Sequence, residues 1–196
     1  DFLLCQEGIE HMSDQIRTFH EFSRVLKPGG RLLITTPNYS SMRARMSYLL
    51  GESEHYHLMP PNEVESIWMA DGSEGDIYYG HIFLIGIQKL RVMAKLSGFR
   101  IRQIIEVRGN ITSLLLMLLW YPFMWLNRKL ALKRAKRKIK GYDKEFRDEV
   151  LKDLNKYSLD PRILCSSHLF VEFEKVATPK EVSASLKGKM TFDQIT

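Results

Sequence analysis

A chain of 196 residues, 44% hydrophobic and 27% charged, is long enough for one domain with a sizeable core and has a globular composition, which excludes general disorder. Its two cysteines, Cys5 and Cys165, form no CxxC pair, which excludes a disulfide scaffold and a cysteine-built zinc site and fits a reducing, cytoplasmic setting. The net charge of +6 is concentrated in Arg128 to Lys140 (RKLALKRAKRKIK), which holds eight basic residues and no acidic one, so a basic surface over the whole molecule is excluded.

The chain opens on DFLLCQEGIEHM, an apolar run leading straight into acids and a histidine. Phe2 to Cys5 reads as a buried parallel strand, and so early a strand suggests a chain that begins inside a domain. Ser13 is placed to cap a helix carrying Ile16, Phe19, Phe22, Val25 and Leu26 at helical spacing. LKPGG stops it, and RLLITTP (Arg31 to Pro37) is the next strand, which completes a βαβ unit. Residues 40–50 read as helix, and 51–80 as a long polar flap. Ile87, Leu90, Met93, Ala94 and Ser97 form one helix face, stopped by Gly98. IRQIIEV (Ile101 to Val107) and HLFVEFEKV (His168 to Val176) are the last two strand candidates. Phe146, Val150 and Leu154 mark an amphipathic helix over 143–157. The domain organisation read here is an α/β unit over 1–110, a helical insertion over 111–167, a returning strand at 168–176 and a mobile tail over 177–196.

DFLLCQEGIEHM, then RVLKPGGRLLITTPN, then GHIF followed by LRVMAKLSGFRI, is similar in content and order to the C-terminal half of class I S-adenosylmethionine-dependent methyltransferases. The resemblance implies a partial Rossmann-like sheet in the order 4-5-7-6, with strand 7 antiparallel. It implies S-adenosylmethionine as cofactor, with Cys5, Gln6 and Glu7 passing along its methionine side at the strand edge. The glycine-rich turn and the ribose-binding acid of that family are not in these residues, and no GxGxG occurs in the sequence. Residues 1–196 alone are therefore expected to be inactive.

Glu7, Glu10 and His11 are spaced i, i+3, i+4, which on a helical turn would put all three on one face. Carboxylates so placed repel unless a cation lies between them, and oxygen plus imidazole donors suit Mg²⁺, Mn²⁺ or Zn²⁺. The ExxEH pattern also resembles the metal quartet of small-RNA 2′-O-methyltransferases and ubiquinone-pathway O-methyltransferases, which implies His81 as a fourth ligand, with His55 and His57 as rivals. His11 and His81 are the candidate catalytic groups. The alternative is that these are ordinary polar residues at a helix start, stabilised by the helix dipole.

ITSLLLMLLWYPFMWL (Ile111 to Leu126) is apolar almost throughout and is followed at once by the basic run. Sixteen residues interrupted by Pro122 fall short of the roughly twenty that span a bilayer. Two readings fit: a monotopic element peripheral to an anionic membrane surface, or an internal lid on the substrate pocket. RNA binding by the basic run is weaker, because aromatics are not interleaved with its arginines. The expected function is O-methylation of a lipid-linked, quinone-like or saccharide acceptor. The competing expectation is a non-catalytic remnant that serves as a membrane- or partner-binding module, and a weaker alternative is an RNA 2′-O-methyltransferase.

Overall fold

The computed structural model describes residues 1–53, 60–71, 76–107, 109–142 and 144–186. In chain order, β1 (Phe2–Gln6) ends in a single 3₁₀ turn at Ile9–His11, and α1 (Gln15–Val25) leads to β2 (Arg31–Pro37). α2 (Met42–Gly51), the short α3 (Glu63–Ser66) and the hairpin strands β3 (Ile67–Asp71) and β4 (Asp76–Tyr79) follow. Then come α4 (Ile87–Leu96), β5 (Phe99–Ile104), α5 (Ile111–Lys138), α6 (Lys144–Ser158), α7 (Pro161–Leu164), β6 (His168–Lys175) and α8 (Pro179–Leu186).

The main sheet has the order β1-β2-β6-β5. β1 and β2 are parallel, and β6 enters between β2 and β5 antiparallel to both. This is the 4-5-7-6 block expected from the sequence. One face is covered by α1 and α4, and the core lies there: Phe19 meets Phe99 and Phe173 edge to face at 6.3 and 6.1 Å, packed with Leu32, Ile34, Leu90 and Val171. Burying each such side chain contributes roughly 1.5–3 kcal/mol. The opposite face carries Glu172, which is buried between the arms of Arg31 (3.3 Å) and Arg102 (3.0 Å). Desolvation raises the Glu172 carboxyl, but hydrogen bonds from Arg102, Gln103 and Arg31 outweigh it and hold it below the usual carboxylate range.

Two features tie the returning strand to the rest. Lys175 Nζ donates to the carbonyls of Ser23 (2.5 Å) and Leu26 (2.7 Å), so a buried ammonium on β6 satisfies the negative end of α1. Gly98, at φ +87°, lies under the chain leaving β6, and a Cβ there would sit 2.0 Å from the Ala177 carbonyl oxygen. No other residue fits that turn.

Several expectations shift. Asp14, not Ser13, caps α1: its carboxylate accepts from the Arg17 N–H at 2.9 Å. The last strand before the insertion spans Phe99–Ile104 rather than 101–107. The polar stretch is not a bare flap, since it holds α3 and the β3–β4 hairpin. The apolar and basic runs of the insertion form one helix of 28 residues, about 42 Å long, that continues through Pro122. The segment after Ala177 opens as α8, started by a reciprocal box in which Thr178 and Glu181 bond each other's backbone N–H.

Candidate functional site

β1 and β2 deliver their polar residues to the carboxyl edge of the parallel pair, where ligands gather in open α/β sheets. At this edge Thr35 and Thr36 anchor two carboxylates. Thr35 Oγ1 donates to Glu7 Oε1 at 2.8 Å, and Thr36 Oγ1 donates to Glu10 Oε2 at 3.0 Å. Glu10 is fully buried, and its Oε1 has no hydrogen-bond partner. A buried carboxylate oxygen left unmatched is costly, and such an atom calls for an explanation.

Beside it, Glu10, His11 and His81 offer ligand atoms that all lie within 4.8 Å of one another. The two imidazoles are 5.2 Å apart between ring centres. His11 Nδ1 lies 2.9 Å from the Tyr79 carbonyl oxygen and 3.1 Å from that of Gly80. Both neighbours are acceptors, so Nδ1 carries the proton and the ring's lone pair is on Nε2. That is how a metal-binding or basic histidine is usually oriented. Gln15 Nε2 bonds the carbonyls of Ile9 (3.0 Å) and Phe83 (2.7 Å), which pins the 3₁₀ turn to the segment carrying His81. Burial, followed by the nearby His11, lowers the His81 pKa; Glu10 and Glu7 counteract this only in part. His81 is therefore neutral at pH 7 and able to accept a proton or ligate.

The chain matches the methyltransferase domain family over residues 1–104, just over half of its length. It belongs to that family. No curated protein matches this chain. Among solved structures, a Galdieria sulphuraria protein assigned as a sarcosine dimethylglycine methyltransferase is similar at 18% identity and a TM-score of 0.35. The similarity covers 89% of this chain and 52% of that one, so this methyltransferase-family chain spans about half the length of that protein.

The proposed metal quartet is not assembled as such. The cluster holds Glu10, His11 and His81 but not Glu7, which precedes the 3₁₀ turn at a positive φ of 44° and so does not share its face. Glu7 instead turns to Thr35, with its Oε2 3.6 Å from His168. Its backbone N–H is bound to Thr35 O (3.0 Å), which removes that N–H as a cofactor donor. Gln6 lies exposed at the strand end. The half-buried Cys5 thiol is raised by burial first and by Glu10 second, so it stays neutral. His55 and His57 lie outside the described residues. Thr35 and Thr36 went unrecognised as site residues; the signal was a pair of hydroxyls at the carboxyl end of an otherwise apolar strand.

Proposed function

We propose that this protein is an S-adenosylmethionine-dependent O-methyltransferase in which Glu10, His11 and His81 engage the acceptor hydroxyl, directly or around a divalent cation. The observation that carries this reading is the buried, unmatched Glu10 Oε1 beside two imidazoles at the carboxyl edge of the sheet. Donors sharing one ion at roughly 2.1 Å lie no more than about 4.2 Å apart. The observed spacing, within 4.8 Å for all three, is close to that limit. One carboxylate oxygen and two imidazole nitrogens fit Mn²⁺, Mg²⁺ or Zn²⁺.

A cation held there by Glu10, His11 and His81 would supply Lewis acidity and lower the acceptor hydroxyl's pKa. Thr36 fixes the Glu10 carboxylate, and the Tyr79 and Gly80 carbonyls fix the tautomer of His11. Without a cation, His81, held neutral, takes the hydroxyl proton as the oxygen attacks the sulfonium methyl; with a cation held by all three residues, His81 would be a ligand and the proton would leave to solvent. The methyl passes to oxygen, and the sulfonium becomes a neutral thioether. Cys5 and Gln6 form this chain's part of the cofactor's methionine wall, supported by their place at the strand edge.

A lipid-linked, quinone-like or saccharide acceptor fits the helical insertion. Among the described residues no helix is long and apolar enough to cross a membrane. Leu115, Leu118, Leu119 and Phe123 on α5 are nevertheless 62–67% exposed, while Leu116, Met117, Trp120 and Met124 pack inward on Met42 and Leu164. The exposed stripe continues through Leu126 and Leu130 to Lys133, Arg134 and Arg137. An apolar stripe running into a cationic one suits the surface of an anionic bilayer.

The test is radiolabelled methyl transfer by the full-length protein to a panel of quinol, polyprenol and saccharide hydroxyls, with Mn²⁺ or chelator. Transfer to one class, cut at least a hundredfold by His81→Asn, supports the assignment. Cofactor binding without transfer to any of them, or transfer indifferent to Glu10→Gln and His81→Asn, removes the cluster from the mechanism. Failure to bind cofactor at all favours the non-catalytic module.

A further inference from the structure

Two adjoining cavities lie beneath α5 and share no residue with the Glu10–His11–His81 cluster. The first, about 370 Å³, lies between α2 and α5 and is almost wholly apolar, walled by Met42, Met46, Leu49, Trp120 and Met124. The second, about 190 Å³, lies between α5 and the end of α6, and Arg128, Asn127, Tyr157 and Ser158 line it. Arg45 and Met124 line both, so the two cavities join at a cationic rim.

The charge of the second cavity is one-sided. Arg45 and Arg128 both line it, and among the described residues no aspartate or glutamate does. Arg128 Nε is buried and has no hydrogen-bond acceptor. The nearby acid of α6, Asp153, is already paired with Arg91 at 3.2 Å. Arg45 reaches solvent at the rim, whereas Arg128 Nε is a buried donor without an acceptor, which is destabilising. That deficit vanishes when an anion meets Arg128, and Arg45 at the same rim adds a second cation, because guanidinium forks match phosphate and carboxylate oxygens. The first cavity has the volume of an ordinary ligand pocket and offers almost nothing polar.

We infer that the joined cavities form a binding site for a single-chain anionic amphiphile. Its phosphate or carboxylate head lies between Arg45 and Arg128, and its acyl or prenyl chain lies along Met42, Met46 and Trp120. The site goes beyond the proposed methyl transfer and stands independently of it. It also differs from the outward stripe of α5, since Trp120 and Met124 are on the inward side and Leu118 and Leu119 on the outward one.

The test is calorimetric titration of the full-length protein with dodecyl phosphate below its micelle concentration, alongside dodecanol and inorganic phosphate. Dodecyl phosphate is expected to bind one per chain, at least tenfold more tightly than dodecanol, with inorganic phosphate weaker than both. Arg128→Gln and Arg45→Gln should each weaken it about tenfold, and Met124→Trp should block it by filling the shared wall. Leu49→Trp serves the same purpose if Met124→Trp does not fold, as judged by its melting curve. Leu118→Ser with Leu119→Ser should leave it unchanged. Equal affinity for dodecanol and dodecyl phosphate, or indifference to Arg128→Gln, overturns the anionic head. Inorganic phosphate binding as tightly as dodecyl phosphate reduces the site to one for a free anion and overturns the amphiphile. Loss of binding in the Leu118/Leu119 variant moves it to the outer face and overturns the site.

Discussion

Glu10 should be a residue whose removal stabilises the metal-free protein and disables the metal-loaded one. In Glu10→Gln the side chain keeps its shape and an oxygen or nitrogen for Thr36, but the buried charge with one unmatched oxygen is gone. An unsatisfied buried group costs about 1–3 kcal/mol, more if charged, so relief of that order is expected in chelator. For a chain of this length, about 2–4 °C accompanies each kcal/mol, which gives a rise in Tm of about 2–12 °C. Wild type should respond to Mn²⁺: at a hundred times its Kd, the ion adds about 2.7 kcal/mol, or about 5–11 °C. Glu10→Gln should respond little, so its lead over wild type in chelator shrinks in Mn²⁺, and inverts where the relief is below about 2.7 kcal/mol. Scanning calorimetry of both proteins in the two buffers reads this directly. If Glu10→Gln melts below wild type in chelator and Mn²⁺ shifts both alike, the carboxylate is a structural hydrogen-bond acceptor and the argument from its unmatched oxygen fails.

The depressed pKa of His81 makes the folded state bind fewer protons than the unfolded chain just below the ordinary histidine value. Its stability contribution is therefore complete above that value and declines as pH falls through the depressed one; a His81→Gln variant should lose this slope, and a slope that persists assigns it elsewhere. Gly98→Ala should cost about 3 kcal/mol or more, because the new Cβ meets backbone at 2.0 Å at a left-handed φ; a melting curve within 2 °C of wild type would contradict the turn geometry. Full-length protein should co-sediment with anionic but not neutral liposomes, less so at high salt, and charge reversal at Lys133, Arg134, Arg137 and Lys138 should release it. Salt-insensitive absence of binding would leave the exposed face of α5 without a membrane role.

Much of the sheet was legible because its strands are apolar runs bounded by strong stops. Leu32 and Ile34 lie between KPGG and Pro37, and Gly98 marks the α4–β5 turn. Elsewhere local signals compete at one-residue resolution. Ser13 and Asp14 are both good caps, and only the start of α1 at Gln15 selects the aspartate. The β3–β4 hairpin was hidden by the polar residues around it, although Ile67 and Ile77 to Tyr79 carry strand-forming side chains. α8 was signalled by Thr178-Pro179-Lys180-Glu181, a capping box with proline in the first turn, which outweighs the weak apolar pattern behind it. In the candidate cluster, the spacing of Glu7, Glu10 and His11 suggested one shared face, of which the structure keeps only Glu10 and His11, and His81 entered through a family resemblance. The displacement of Glu7 was not readable, because it depends on a positive φ and on a hydroxyl 28 residues away.

The position of β6 sets a condition on biosynthesis. β2 and β5 are not neighbours, and each finds its inner hydrogen-bonding partner only in residues 168–175, made after the long helical excursion of α5 to α7. At ribosomal rates of about 5–20 residues per second, the interval between finishing β5 and finishing β6 lasts several seconds. Throughout it β2 and β5 wait with unpaired edges, and α1 lacks the ammonium of Lys175 at its end. Closure is thus a late, long-range event on the nascent chain, of the slow kind expected for non-local strand pairing. A stop codon anywhere before residue 168 would release an open sheet to the chaperones rather than a shorter version of the same domain.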